Sequence, residues 1–411
     1  MIALQLLVHV PQAFADEVEP ARAPASWLVP GLTYDGTVLG DLRGGARTGS
    51  AYVGNLHLKL TAQGETVGWP GTSAFFDVLT IQGGRPSSFV GDAQGVSNVE
   101  GPTGTQVEEL WLQHNFKDSG ASLLAGIYDL NSEFYRLHAA GLFLNSSFGI
   151  GPEFAKSGVE GPSIFPRTSV GLRFAFKPTS DTVVRTAVLD GVPVVRPDGS
   201  WAVFRRGDGL LTVAEFAILS RTGTGPDSDS NMRDRIGRFS ALVPYDDKLA
   251  LGAWRYSGRL PDLSDTNPEG NPQLRRGSSG AYAIGERLLA GGKESSGKRL
   301  AAFAQAGIAD PRTNRFSSYL GAGIVASGWG LAKESDQFGA SIARASNGSH
   351  YMRMQTTQSL TRAETTVELS YLTKVSKYLT VQPDLQYVIF PNTDPSIANA
   401  WVLQLRFEMA F

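Results

Sequence analysis

The sequence of 411 residues contains no cysteine, which excludes disulfide bonds, thiolate zinc sites and cysteine nucleophiles. It has only five histidines, too few for us to expect a histidine-rich metal site. Charged residues make up 18% of the chain, below the roughly 25% of soluble globular proteins. The net charge of −2 does not indicate a nucleic-acid-binding protein. Beyond the first segment, no apolar run reaches the roughly 18 residues of a transmembrane helix.

Two residue types that interrupt regular structure are abundant, since the chain has 47 glycines and 22 prolines. This composition argues against an all-helical protein and predicts many short elements joined by turns. No repeat of fixed period and no domain linker is visible, so we predict that residues 16–411 form one domain. We expect no cofactor and no metal, because the sequence contains neither a metal-ligand spacing nor a phosphate-binding loop.

Residues 1–15 have several properties of a signal peptide. Residues 2–10 are apolar and about as long as the hydrophobic region of a signal peptide, and residues 13–15 form a small-x-small cleavage site. Acidic residues follow at once from Asp16. The basic start of a signal peptide is missing, and a buried N-terminal strand or helix is the alternative. We therefore expect a protein that leaves the cytoplasm.

The end of the chain alternates between two kinds of side chain. From Trp401 to Phe411 every odd position is large and apolar, whereas the even positions include Gln404, Arg406 and Glu408. Because successive side chains of a strand point to opposite faces, this segment predicts a strand with one apolar and one polar face. The apolar face could be the core of a soluble protein, or it could contact lipid while the polar face lines a wet lumen. The length of the segment matches a membrane-spanning strand of about 9–11 residues.

The same alternation recurs along the chain and predicts an all-β fold, a 16-stranded antiparallel transmembrane β-barrel. An even number of strands suits a closed barrel, and closure leaves no exposed sheet edge. Residues 221–246 could hold one further strand at 235–243, which would break this parity. The predicted strands are 27–43, 50–63, 73–82, 107–117, 121–131, 168–178, 182–191, 209–220, 247–258, 278–290, 298–309, 316–328, 335–345, 363–376, 379–391 and 398–411.

The predicted connections differ in length between the two ends of the barrel. If the first strand starts on the periplasmic side, the long connections 83–106, 132–167, 192–208, 259–277 and 346–362 lie outside. Most connections at the other end are short. Short periplasmic turns and longer outer loops are typical of outer-membrane barrels.

Residues 109–173 contain the segments ELWL, LAGIYDLNSEF, GLFLNSSFG and VGLR, and weaker patches of the same kind follow at 251–254, 368–371 and 382–387. These segments resemble the carbohydrate-selective porin family, the OprB-type porins of Gram-negative outer membranes. The resemblance covers roughly residues 30–411. It implies a 16-stranded barrel through which sugars, often glucose, pass by diffusion. The chain departs from the family pattern at 221–246 and in its short N-terminus.

Several polar residues on predicted strands are expected to line the lumen: Glu109, Arg173, Arg185, Glu215, Asn55 and Lys59. The charged residues among them could form a pore wall that orients water and solute hydroxyls, or ion pairs that stiffen the barrel. Arginine suits the first role because its planar guanidinium donates to several oxygens at once. Trp201 lies in an outer loop, where it could stack on a sugar ring or pack within the loop.

The connection 132–167 exceeds the roughly 12–15 residues at which unstructured loops become uncommon. It carries many apolar side chains for a solvated loop, and its glycines and prolines allow tight bends, so we expect it to fold into the lumen. Two sets of polar residues would then border the remaining opening: Glu133, Arg136 and Asn145 from the loop, with Arg43 and Arg173 on the wall opposite. Arg136 is the leading candidate for contact with a sugar. The alternative is a plug of packed apolar residues without selectivity.

Together these features predict an outer-membrane pore for passive diffusion of small carbohydrates, and not an enzyme. A general or anion-leaning diffusion porin is the first alternative, and a soluble exported sugar-binding β-protein is the second. The sequence contains no Gly-x-Ser-x-Gly motif, so it does not indicate a serine nucleophile. We expect outer-membrane lipid and the barrel-assembly machinery as partners, the latter through the terminal aromatic residue Phe411. The barrels could also form a homotrimer.

Overall fold

The computed structural model describes residues 26–117, 119–194, 203–220, 247–291, 298–329, 336–355 and 359–411. Within these ranges sixteen antiparallel strands close into one barrel, in which each strand pairs with its neighbours along the chain and β1 pairs with β16. The strands are β1 (Leu28–Gly45), β2 (Gly49–Gln63), β3 (Thr72–Gly83), β4 (Gly104–Phe116), β5 (Ala121–Tyr128), β6 (Ser169–Thr179), β7 (Thr182–Asp190), β8 (Leu210–Ser220), β9 (Asp247–Thr266), β10 (Pro272–Ala290), β11 (Arg299–Ala309), β12 (Phe316–Ser327), β13 (Gln337–Asn347), β14 (Ala363–Lys374), β15 (Leu379–Ile389) and β16 (Ala398–Ala410).

Short helices lie in the connections between strands. The α-helices are α1 (Ser87–Val90), α2 (Pro152–Ala155) and α3 (Ser349–Met354), and the 3₁₀ turns are Gly64–Val67, Leu130–Ser132, Ala139–Leu142, Ser146–Phe148 and Pro391–Thr393. None of the helices in the described ranges is long and apolar enough to cross a membrane.

The predicted 16-stranded antiparallel barrel is confirmed, but the predicted loop 259–277 is wrong. β9 continues to Thr266 and β10 begins at Pro272, so only residues 267–271 form the turn. The prolines and charged residues of this segment indicate a loop. However, the hydrogen bonds between paired strands are formed by backbone groups and do not depend on the side chains. A hairpin that extends beyond the lipid-facing apolar surface of the barrel can therefore carry polar side chains on both faces. The predicted signal segment 1–15 and the further strand at 235–243 lie outside the described residues.

The two faces of the strands are reversed relative to those of a water-soluble protein. In β16, Trp401, Leu403 and Leu405 are 42–48% exposed, whereas Gln404 and Arg406 are at most 3% exposed. Apolar side chains of a soluble β-protein are buried in its core. The barrel instead presents an apolar surface for lipid and encloses its polar side chains, which does not fit a soluble sugar-binding β-protein.

Aromatic packing inside the barrel involves residues 129–168, the connection between β5 and β6 that we call the long loop. Phe154 of this loop stacks on Trp254 of β9, with ring centroids 4.8 Å apart and planes 5° apart. Phe143 and Phe148 lie 5.6 and 5.8 Å from Phe303 of β11. These rings are buried and belong to one apolar cluster, to which most strands from β3 to β14 contribute side chains. The apolar core therefore joins the long loop to the barrel wall, with ring contacts to β9 and β11.

Glycines on the wall make room for this packing. A Cβ on Gly307 of β11 would lie 1.8 Å from an Oε1 atom of Glu153, and one on Gly323 of β12 would lie 2.6 Å from the Phe303 ring. Real Cβ atoms do not approach other atoms so closely. Part of the high glycine content of the chain is thus explained by side chains of the long loop and of neighbouring strands that lie directly over the wall backbone.

Candidate functional site

Glutamates of the barrel wall bind backbone amides of the long loop. Glu286 of β10 accepts hydrogen bonds from the N–H groups of His138 and Ala139 at 3.1 and 2.8 Å. Glu368 of β14 accepts from the amides of residues 144–145 in the same way. A buried backbone N–H needs an acceptor, and a carboxylate is a strong one. These two strands therefore fix the backbone of the loop at successive points.

Glu215 of β8 connects the long loop to two other strands. It accepts hydrogen bonds from the Tyr135 amide at 2.9 Å and from the Tyr282 hydroxyl at 2.7 Å. Arg185 of β7 pairs with the same carboxylate at 3.4 Å. Both charged side chains are at most 3% exposed, so this pair holds structure together inside the barrel.

Arg173 of β6 makes a similar connection at the start of the long loop. Its Nε lies 2.8 Å from Oε2 of Glu133. The guanidinium also donates to Gln113 of β4 at 2.7 Å and to Ser122 of β5 at 2.6 Å. Arg173 is only 1% exposed, and its donors are directed at the wall and the loop.

A second segment, the β3–β4 loop at residues 84–103, is bound to the wall by the same chemistry. Glu364 of β14 accepts hydrogen bonds from the amides of residues 93–94 at 2.8 and 2.9 Å. Arg406 of β16 donates to Oδ1 of Asn98 at 2.7 Å and to Oγ of Ser97 at 3.2 Å. Two loops are thus connected by charged side chains to the interior of the barrel.

A cavity of about 870 Å³ lies between these two loops and a wall formed mainly by β1–β4, with Gln337, Leu372 and Arg406 from β13, β14 and β16. Carboxylates and cationic groups both line it. The acidic lining residues are Asp35, Asp77, Asp92, Glu100, Glu108, Glu109, Asp129 and Glu160, and the basic ones are Lys59, Arg85, Arg136, Lys156, Arg167 and Arg406. The lining therefore offers hydrogen-bond acceptors and donors side by side, together with the imidazoles of His57 and His138.

Three of the residues selected from the sequence line this cavity, namely Arg136, Glu109 and Lys59. The others are not brought to it. Asn145 is fully buried and donates to Gln386 at 3.3 Å, and Asn55 is fully buried and donates to the Val99 carbonyl at 3.0 Å. Arg43 is exposed at a bulge of β1 opposite Trp401.

The remaining selected residues lie in the ion pairs described above or outside the described residues. Glu133 and Arg173 bind each other, as do Arg185 and Glu215. These contacts fit the alternative in which the charged residues form ion pairs that stiffen the barrel. Trp201 lies outside the described residues.

A β-bulge produces one feature that simple alternation misses. Asp77 pairs with Glu109, whereas the next residue, Val78, pairs with Val107, so Glu108 is an extra residue in β4. As a result two consecutive carboxylates, Glu108 and Glu109, are 4% and 7% exposed and line the cavity. Bulges redirect side chains in this way. Glu286, Glu364 and Glu368 are also not among the candidate site residues named from the sequence. Each of them is a charged residue on the inward face of a strand, which is the signal that could have identified them.

Two loop carboxyl groups are perturbed by their surroundings. Burial and the nearby Glu364 carboxylate raise the pKa of Asp92 to about 7. Burial also raises the pKa of Glu153 to about 7, even though Tyr135 donates a hydrogen bond to it at 3.0 Å. Removing a carboxylate from water disfavours its charged form.

The described residues also bring together Asp262, Asp265 and His350, whose side chains could ligate a cation. Arg275 already binds both carboxylates, at 2.8 and 2.6 Å. The guanidinium thus supplies the positive charge that a metal would bring, and the cluster is explained as an ion-pair network.

Comparison with known proteins decides the family. Residues 47–411 match the family described as carbohydrate-selective porin, OprB family. The chain belongs to this family. OprB-type porins are barrels of the Gram-negative outer membrane and not enzymes, as the sequence predicts. Porin B of Pseudomonas aeruginosa is 26% identical to this OprB-type porin over 184 residues, which are 39% of this chain and 40% of that protein.

Solved structures share the fold of this OprB-type porin. The high-pH structure of Pseudomonas putida OprB has a TM-score of 0.79 at 19% identity and covers 93% of this chain and 94% of its own. The low-pH structure of the same protein has a TM-score of 0.55 at 15% identity, with coverages of 93% and 92%. An anion-selective porin from Comamonas acidovorans has a TM-score of 0.50 at 10% identity, with coverages of 93% and 99%.

Proposed function

We propose that small carbohydrates diffuse passively through the cavity between the β1–β4 wall and the two loops. The observation that carries this proposal is the mixed lining, in which eight carboxylates and six Lys or Arg side chains border about 870 Å³. A sugar hydroxyl both donates and accepts hydrogen bonds, so carboxylates and guanidinium groups in one passage match it. The family description supports carbohydrates as the solute class.

We propose that the long loop sets the width of this passage. Its aromatic residues pack on β9 to β12, and Glu286 and Glu368 bind its backbone amides. The loop thereby occupies part of the barrel interior and leaves the cavity beside β1 to β4 open to solute. On this proposal the longer connections, including the long loop, face the outside of the cell.

Arg136 is the residue that we propose for direct contact with sugar. Its carbonyl is held by the Lys248 ammonium at 2.8 Å, which fixes the backbone beside the cavity. Among the described residues, its guanidinium makes one long hydrogen bond, 3.4 Å to the Ser132 carbonyl. Most of its N–H donors are therefore available to solute oxygens, unlike those of Arg173.

A liposome-swelling assay tests the proposal and separates it from the anion-leaning alternative. Neutral monosaccharides should enter faster than anionic solutes of equal size, because the lining carries more carboxylates than Lys and Arg side chains. Equal or faster entry of anions would favour the general or anion-leaning porin, of which the Comamonas acidovorans protein is a structural neighbour.

Arg136→Ala tests the assigned contact. We expect it to reduce the preference for monosaccharides over disaccharides, because the loop residue bordering the opening becomes small. Arg43→Ala is the matched control, since Arg43 carries the same side chain but lies outside the cavity lining. Equal effects of the two substitutions would remove Arg136 from the assignment without disproving sugar passage.

A further inference from the structure

Three arginines lie together on the outward face of the β9–β10 hairpin, and we call them the arginine patch. Arg255 and Arg259 of β9 and Arg276 of β10 are all exposed. Arg259 and Arg276 face each other directly across the ladder. Farther along the same face of β9 lie Leu251 and Leu249, which are 55% and 54% exposed. The patch therefore continues the apolar row that faces lipid.

The arginine patch lacks acidic partners. Within the described parts of the chain, no ion pair or side-chain hydrogen bond involves any of its three members. On the inward face of the same hairpin, by contrast, Arg275 pairs with Asp262 at 2.8 Å and with Asp265 at 2.6 Å. Like charges directly opposite each other on a sheet are destabilising. Two arginines that face each other without an acidic partner are therefore expected to bind an anion.

We propose that the arginine patch binds the phosphate groups of lipid A, the phosphorylated glycolipid anchor of the outer leaflet. Guanidinium groups bind phosphate through two parallel N–H donors, which makes arginine the suitable residue. Arg259 lies ten residues, about 33 Å along the strand, from Leu249. A strand tilted by about 40° rises about 25 Å over that length, which matches the height of the apolar band of such barrels. Acyl chains could thus cover the leucines while phosphates meet the arginines.

The proposal rests on the orientation in which the long loop faces outward, because β9 runs toward the same end as β5. It does not rest on sugar passage. The chemistry by itself fits any exposed phosphate, including free inorganic phosphate and the phosphodiester of phosphatidylglycerol. The position beside the lipid-facing row and at the outer end of the barrel favours lipid A.

Native mass spectrometry of the detergent-solubilised protein with added bisphosphorylated lipid A tests the assignment. The variant R255Q/R259Q/R276Q should bind lipid A at least about tenfold more weakly than the wild type, because charge-assisted hydrogen bonds are lost. Arg287→Gln is the matched control, since this exposed arginine lies on β10 near the opposite rim. It should retain wild-type binding. Lipid A without phosphates should bind the wild type as weakly as the triple variant binds intact lipid A.

Folding of the triple variant is checked by its heat-dependent migration in gels, and Arg276→Gln alone provides a milder second variant. Without lipid A, R276Q should melt no lower than the wild type, because it removes one member of a like-charged pair. Equal lipid A affinity of the wild type and the triple variant would overturn the proposal. So would binding of inorganic phosphate without retention of lipid A. Equal binding of phosphatidylglycerol and lipid A would overturn the assignment to lipid A. As a control, the rate of liposome swelling with sugars should be unchanged in every variant.

Discussion

Glu133 of the long loop and Arg173 of β6 are 40 residues apart in sequence and form an ion pair of 2.8 Å, with side chains 11% and 2% exposed. From the sequence, both are expected to border the opening of the pore. The structure instead shows that Gln113 and Ser122 accept further hydrogen bonds from the same guanidinium. The pair therefore joins the first turn of the long loop to the barrel wall, and any contact with sugar stays a prediction.

Replacing Arg173 by methionine should lower the stability of the barrel by about 2–4 kcal/mol, because the largely enclosed Glu133 carboxylate would lose its cationic partner and keep the hydrogen bond from the Tyr128 hydroxyl. Urea unfolding of the refolded protein in detergent measures this change. Arg167→Met is the control, since Arg167 pairs with Glu160 at 2.7 Å with side chains 24% and 32% exposed. A surface pair of this kind contributes at most about 1 kcal/mol. Equal losses in the two variants would contradict a special role for the enclosed pair.

Gly307→Ala should destabilise the barrel by about 1–3 kcal/mol, because the new Cβ would collide with Glu153. The Cβ would lie 1.8 Å from Oε1 of that residue. Gly141→Ala is the matched control in the long loop, where a Cβ would meet no atom within 4 Å. Glu153→Ala added to Gly307→Ala should recover part of the lost stability. No recovery in this double variant would show that the collision with Glu153 is not the cause.

Glu153 should make the barrel less stable as the pH rises from about 4.5 to about 7. The folded-state pKa of Glu153 is about 7 and its unfolded value is 4.5, so the folded state binds more protons across this window. Stability from this group is complete below pH 4.5 and is lost as the pH rises through the folded pKa. Glu153→Gln should flatten the decline, which urea titrations at several pH values would show. An unchanged slope would contradict the assignment.

Phe411 should matter more for assembly in cells than for the stability of the finished barrel. Its backbone N–H donates to the Leu32 carbonyl at 2.9 Å, and its ring stacks on Tyr378 at 5.5 Å. Phe411→Ala keeps the backbone bond while removing the terminal aromatic ring, so refolded protein should unfold near the wild-type urea concentration. Its amount in outer-membrane fractions should fall, whereas the lipid-face control Phe338→Ala should leave that amount unchanged. Equal amounts for both variants would refute the assembly role.

The sequence predicts the barrel well because strand alternation is a local property. Each strand such as β16 repeats the same two-residue period, and the lipid-facing side needs only large apolar residues. The boundaries fail where that rule stops applying, as in the β9–β10 hairpin beyond the apolar band. There, backbone pairing continues through Arg259 and Arg276 without apolar side chains to mark it.

The candidate site is less predictable because it depends on contacts between distant residues. That Arg136 lies beside the cavity follows from the length and composition of its loop. The burial of Arg173 and Arg185 cannot be predicted in this way, because only the folded chain shows that Glu133 and Glu215 are their partners. The bulge at Glu108 is likewise absent from the two-residue pattern.

Single-channel current in a planar bilayer, titrated with a neutral monosaccharide, tests the central claim most directly. If sugars occupy the cavity beside Arg136, the current should fall saturably with sugar concentration in the wild type, and Arg136→Ala should need more sugar for the same block. Arg43→Ala should match the wild type. A current that changes only in proportion to the conductivity of the bulk sugar solution, in all three proteins, would contradict a carbohydrate-selective pore.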